Sequence, residues 1–517
     1  MTRLRRTIYL LIACVLVAVI ANNVYGRWRK AAQHRLVEAA ANGDSATVRS
    51  LLRWGISPNE IQADSGPYSG PAVVAAASGG HTETLKVLLD HGGNANARDN
   101  VGTPSLYWAV QFKHHDTVLL LLQRGASPIY PNTSKLTASI LNDAIAKRWM
   151  DVFKLALDRG ADPNGVPTDQ ISPLCVAVAM GNVEAARLLL DKGAAIDAQG
   201  FDWMDQERRR HKMTALMVAA QIGNLPLVNL LLRKGASLRA VDQSGDMPLT
   251  WAAESGNVAV ARRLLPKGID INTGAGQNGP PLLWAALSGN PVMVHWLLQQ
   301  GADPNAADRN GQTALMNAVL LRRSLSPAPV PVSCGEAMVR DLLAHGADVN
   351  AANRSGQTVL MQAVHGSVSI VTRLLEHGAR VNAADKQGHT PLMAAAHFHR
   401  ADMLRTLLQR GADIRARDRQ GKTALMLTLD NVSGPPNLAA TEALLDAGAE
   451  VNTSDAEGRT VLTYALYSGA PDIVQALVAH GADVNAHGGQ PDSPLRIAMR
   501  GRQTRIAAIL RKAGAKD

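Results

Sequence analysis

Few side chains in this 517-residue chain stand in company that would let them do chemistry. Gly421-Lys422-Thr423 ends like a phosphate-cradling loop, but Ala416 occupies the position where that motif needs its first glycine. Cys14, Cys175 and Cys334 are too few for a disulfide scaffold, and none has the paired Cys or Cys/His spacing that holds zinc. The sequence contains no His-Glu-x-x-His and no Gly-x-Ser-x-Gly, the spacings that set up a zinc-bound water or a serine nucleophile. His91, His345, His377 and His480 each precede a glycine that can end a helix, so they are expected to meet open helix carbonyls rather than a metal. His397-Phe398-His399 is read as surface. The expectation is therefore no catalytic residue, no metal site, no cofactor and no enzyme.

What positions the remaining polar side chains is a repeat. One apolar anchor recurs at Leu36, Val73, Leu106, Leu141, Leu174, Leu216, Leu249, Leu282, Leu315, Leu360, Leu392, Leu425, Leu462 and Leu495, and seven of the thirteen intervals are 33 residues. In eleven of these fourteen units a glycine follows the anchor by nineteen residues. The start of the unit reads Thr390-Pro391-Leu392 or Thr214-Ala215-Leu216-Met217, and its end reads Gly-Ala-Asp-x-Asn-Ala, as at Gly301–Ala306 and Gly481–Ala486. These units resemble ankyrin repeats over roughly residues 34–517. The resemblance implies an all-α repeat solenoid of helix-turn-helix units with β-hairpin fingers, on the order of 140 Å long at about 10 Å per helix layer. It also implies protein–protein interaction without catalysis. Threonine or serine should cap each first helix, proline should sit in its first turn, and glycine should end the second helix. Met217, Met316, Met361, Met393 and Met426 replace the family's usual histidine and are read as core packing, ahead of a soft metal stripe.

Departures from the period point to the binding residues. An insertion at 200–212 sets Phe201, Trp203 and Met204 beside Arg208, Arg209 and Arg210 on a finger, where exposing three large apolar side chains together calls for a partner or a fold-back onto the stack. Six residues before the anchor, four consecutive repeats carry Arg309, Arg354, Lys386 and Arg419, a row of cations about 10 Å apart along one edge. Two readings of the row stay open: a contact for an acidic partner, or a solvated edge partly neutralised by Asp308, Asp385 and Asp418. A further insertion, Ser324 to Gly335 with three prolines, reads as a stiff polyproline-like loop between two helices, and Asn431–Asn437 as a smaller one.

The net charge is +10, so a basic solenoid that binds nucleic acid or an anionic membrane surface is the alternative. Aromatics at 4% argue against nucleic acid, whose single strands need stacking platforms. The N-terminal segment 1–30, ahead of the repeats in 31–517, carries Arg3, Arg5 and Arg6, an uncharged run from Thr7 to Ala21, then Arg27, Arg29 and Lys30. This pattern predicts a single-pass signal anchor, with the repeats tethered to a membrane on its extracytoplasmic, periplasmic side. Cleavage at Val19-Ile20-Ala21, leaving a secreted or periplasmic protein, is the alternative.

Overall fold

The computed structural model describes residues 2–61, 70–129, 139–165, 172–201, 212–266, 268–273, 279–320, 331–429, 436–489 and 491–516. The chain divides into two compact units, Met1–Asp242 and Gln243–Asp517. Among the described residues each unit is a stack of helix pairs, six in the first and eight in the second, which makes the chain an all-α repeat solenoid. Strand pairing among the described residues is confined to the stem of the 200–212 finger, where Gly200 stands opposite Met213 and Phe201 opposite Lys212, and to single bridges at the bases of four other fingers.

One repeat shows why the sequence folds this way. The Thr390 hydroxyl accepts from the Met393 amide at 3.3 Å and so satisfies one open donor of helix Pro391–His397. Pro391 occupies its first turn, where no amide is needed. The helix buries Leu392, Met393, Ala395 and Ala396, and the alanines let its neighbours approach closely. Its partner helix Ala401–Gln409 buries Met403, Leu404 and Leu407, a single stripe at helical spacing, and turns the rest to water. Each such leucine contributes roughly 2 kcal/mol over an exposed one, and none can do so without the next repeat as a lid. The five methionines that replace the family's histidine are 0–5% exposed, so they pack the core. His91, His345, His377 and His480 each place Nδ1 2.8–2.9 Å from the carbonyl four residues earlier, as the helix-end reading expects.

Two expectations need correction. The N-terminal segment is part of one helix, Thr2–Ala41, that runs without a break into the first repeat. Its last turns bury Ala32, Leu36 and Ala40, and Gln33 donates to the Ser57 carbonyl at 2.9 Å. Among the described residues no helix is long and apolar enough to cross a membrane, which overturns the single-pass location and, with it, the membrane partner. The physical reason lies in length. Fifteen residues from Thr7 to Ala21 span about 22 Å against a hydrocarbon core of about 30 Å, and Asn22, Asn23 and then Arg27 stop any extension. The proline-bearing insertion is also shorter than read. Pro331 caps helix Val332–Ala344, so Val332 to Gly335 are helical and Gly335 is buried, while Pro327 and Pro329 lie outside the described residues.

Candidate partner-binding surface

The fingers of the C-terminal unit are built from Asp-x-x-Gly turns. In Asp418–Gly421 the aspartate Oδ1 accepts from the amides of Gln420 and Lys422, both at 2.8 Å, and Gly421 N–H returns to the Asp418 carbonyl at 2.9 Å. Asp308 and Asp385 do the same in their own turns, and Asn353 substitutes in the fourth. A carboxylate used this way points into the turn. The residue after it points out, and in four successive fingers that residue is Arg309, Arg354, Lys386 or Arg419, each exposed.

Backbone hydrogen bonds tie these tips together. Arg354 N–H donates to Asn310 O at 2.8 Å, Lys386 N–H to Ser355 O at 3.0 Å, Arg419 N–H to Gln387 O at 2.9 Å, and Ala456 N–H to Gln420 O at 2.8 Å. Three of these four donors are the amides of the cationic residues themselves, so main chain sets the spacing of the residues that carry the charges. The close approach requires glycine. Gly388 has φ +83° and a Cβ there would stand 3.1 Å from the Arg419 nitrogen; at Gly356 and Gly421 the corresponding gap is 2.9 Å.

Ion pairing along the row bears on both of its readings. Asp385 and Asp418 are 7% and 2% exposed at the side chain, and the group that approaches them is His389, whose two ring nitrogens lie 3.5 Å from one carboxylate each. Arg354, Lys386 and Arg419 form no ion pair among the described residues, so the neighbouring aspartates do not cancel them by contact. The row ends at Ala456. There Asp455 accepts from Tyr464 Oη at 2.7 Å and Arg459 Nε at 2.8 Å. Burial alone would push this carboxyl up, but those hydrogen bonds outweigh it and hold it below the ordinary carboxylate range. Elsewhere opposite charges are spent between repeats, as in Arg49–Glu83, Arg124–Asp90 and Lys192–Asp158.

Sequence profiles confirm what this architecture resembles. Profiles described as ankyrin repeats match residues 36–134, 198–275, 332–418, 414–488 and 432–516, with further ankyrin matches at 282–324 and 169–201. The chain belongs to the ankyrin-repeat family. An ankyrin repeat protein of fowlpox virus (strain NVSL) is 30% identical over 164 residues, 31% of this chain and 36% of that protein. The ankyrin repeat and SAM domain-containing protein 6 of Danio rerio is 27% identical over 164 residues, 32% of this chain and 22% of that one. An ankyrin repeat-containing protein of Treponema pallidum (strain Nichols) is 31% identical over 136 residues, 25% and 45% respectively. The matches thus span less than half of each relative, and what they share with this chain is the repeat. Ankyrin repeats are protein–protein interaction scaffolds.

The expected contacts fall on different units of this ankyrin array. Arg309, Arg354, Lys386 and Arg419 belong to the C-terminal unit and are brought together by its finger ladder. The 200–212 finger belongs to the N-terminal unit, and only its stem is seen. Trp203, Met204, Arg208, Arg209 and Arg210, and the side chain of Phe201, lie outside the described residues. Beneath the stem, Cys175 is buried, and burial pushes its thiol up to about 12, out of reach of thiolate chemistry.

Sequence reasoning missed a second ladder. The asparagine of Gly-Ala-Asp-x-Asn-Ala bridges to the next repeat: Asn382 donates to the Gly411 carbonyl at 3.1 Å and accepts from the Asp413 amide at 2.8 Å. Its signal was present, since asparagine four residues after the helix-ending glycine recurs along the chain.

Proposed function

We propose that this ankyrin-repeat protein is a scaffold without catalysis that holds an acidic segment of a partner protein along the finger edge of its C-terminal unit. Arg309, Arg354, Lys386 and Arg419 are the contacts, and the 200–212 finger of the N-terminal unit, with Phe201, Trp203, Met204 and Arg208 to Arg210, supplies a second, apolar contact. The observation that carries the reading is the finger ladder: main-chain bonds fix the exposed cations in register while the adjacent aspartates are turned into their own turns. A row of exposed cations along one edge attracts an extended polyanionic chain, raising its association rate more than its residence time.

The test is the equilibrium binding of a fluorescein-labelled hexaglutamate peptide to the full chain, followed by anisotropy. Reversing all four cations to glutamate should weaken it by at least about tenfold, as removal of several rim contacts worth up to about 1 kcal/mol each implies. Equal binding by the reversed chain removes the row from the site. For the apolar contact, Trp203→Ala should weaken capture of a crosslinked partner by about 2 kcal/mol and leave the melting temperature unchanged. A lowered melting temperature with intact capture would mean that the finger packs back on the stack.

A further inference from the structure

Within the C-terminal unit seven joints connect eight repeats, and at six of them an asparagine completes the contact. Asn272, Asn305, Asn350, Asn382, Asn452 and Asn485 each accept, at 2.7–2.8 Å, from the amide two residues beyond the next helix-ending glycine. Five of the six also donate to that glycine's carbonyl. At the seventh joint the residue is Arg415. Its side chain swings outward to pair with Glu450, Nε to Oε1 3.2 Å, with the two side chains 76% and 54% exposed. The Glu450 amide, which stands where Asp413 and Asp483 stand in neighbouring repeats, has no intramolecular acceptor among the described residues. A shallow, solvent-open cleft lies at this joint, lined by Arg415, Arg417, Thr423, Glu450 and Thr453.

The surroundings decide what the cleft can receive. The finger that leads out of the cleft carries Arg417, Arg419 and Lys422, while its single carboxylate, Asp418, is 2% exposed at the side chain and held by its own turn. Arg417 Nη1 is anchored on the Ser454 carbonyl at 2.8 Å, which points the guanidinium along the cleft wall instead of leaving it to sweep through solvent. An amide donor that elsewhere meets an asparagine oxygen thus shares the cleft with the anchored guanidinium of Arg417, while Arg415 is paired with the Glu450 carboxylate. That donor set recognises a carboxylate through charge-assisted hydrogen bonds.

We propose that the cleft at Arg415 receives a glutamate or aspartate side chain of the bound acidic segment, whose carboxylate replaces the missing asparagine oxygen on the Glu450 amide and faces Arg417. The proposal rests on the acidic-partner reading of the finger row and gives that partner a register, because the cleft opens on the finger that bears Arg419.

Two substitutions at one position separate the cleft from simple charge. Arg415→Ala removes the cation and leaves the gap; Arg415→Asn removes the same cation and restores the missing rung. With hexaglutamate and the full chain, Arg415→Ala should weaken binding about threefold, the effect of one exposed charge. Arg415→Asn should weaken it by a further factor of about ten, because the amide is then occupied. Arg415→Asn should also melt about 2 °C above Arg415→Ala, from the hydrogen bonds regained. Equal binding by the two variants overturns the cleft, and equal melting overturns the missing rung on which it stands. If reversal of the four-cation row abolishes binding while the two Arg415 variants agree, the acidic-partner reading survives and the cleft falls. The opposite pattern removes the row and keeps the cleft. Failure of hexaglutamate to bind the native chain at low salt overturns both.

Discussion

Alanine at Gly388 tests whether the finger ladder is structural. The residue has φ +83°, where a Cβ costs about 1 kcal/mol by itself. A Cβ there would also stand 3.1 Å from both the Arg419 nitrogen and the Asp418 Cα, so the next finger has to move and the Arg419 to Gln387 bond at 2.9 Å is strained or lost, about 1 kcal/mol more. Gly102 supplies the control. It occupies the same place in a finger of the N-terminal unit, with φ +86°, and among the described residues a Cβ there meets nothing within 4 Å. Gly102→Ala should therefore cost about 1 kcal/mol and Gly388→Ala about 2 kcal/mol. Urea unfolding reads the total. Because repeat arrays open locally, hydrogen exchange at the Arg419 amide reads the ladder itself, and its protection should fall in Gly388→Ala. Equal costs for the two alanines, or unchanged exchange at Arg419, would refute the claim that the fingers hold one another.

Other outcomes follow from the N-terminal unit. His115 joins two repeats, with Nε2 2.9 Å from Asp151 Oδ1, Nδ1 3.1 Å from Asp116 and its ring edge-on to Trp149. The hydrogen bond to Asp151, opposed by partial burial and helped by Asp116, raises the histidine above its ordinary 6.5. Its stabilisation is therefore complete below pH 6.5 and fades as pH rises through the raised value. The Asp151 carboxyl is held below 3.8, its burial outweighed by His115, so its share is lost only as pH falls through that lower value. His115→Gln should cost up to about 1 kcal/mol at pH 5–6 and progressively less above pH 7, measured by urea unfolding across pH. A cost that grows with pH contradicts the pairing. Thiol labelling of the native chain at neutral pH should modify exposed Cys14 and spare Cys175, whose thiol sits near 12. Rapid labelling of Cys175 without unfolding would show that the stem of the 200–212 finger does not seal it.

The parts of the fold that were legible in the sequence are those whose cause is local. Thr390 caps its own helix three residues on, Gly411 ends its own, and Leu404 and Leu407 bury at helical spacing, so type and position within one repeat suffice. The four histidines before glycines were readable for the same reason. Features that depend on the next repeat were not. Asn382 shows its role only against the Gly411 carbonyl and Asp413 amide of the following repeat, 29 and 31 residues away. Where the aspartates beside the cations point was not legible either, because a sequence records adjacency and not direction. The turn amides capture Asp385 and Asp418, which leaves the cations exposed. The N-terminal segment misled because charge flanks and an apolar run say nothing about where the helix ends, and this one ends inside the first repeat at Ala41.

The central claim, that the finger ladder presents a row of exposed cations to an acidic chain, is tested most directly by the association rate of hexaglutamate as salt rises from about 20 mM to about 500 mM. The account predicts a rate that falls steeply with salt in the native chain, and a slow rate with a flattened slope once Arg309, Arg354, Lys386 and Arg419 are reversed. A native rate independent of salt, or a slope that survives the reversal, would contradict it.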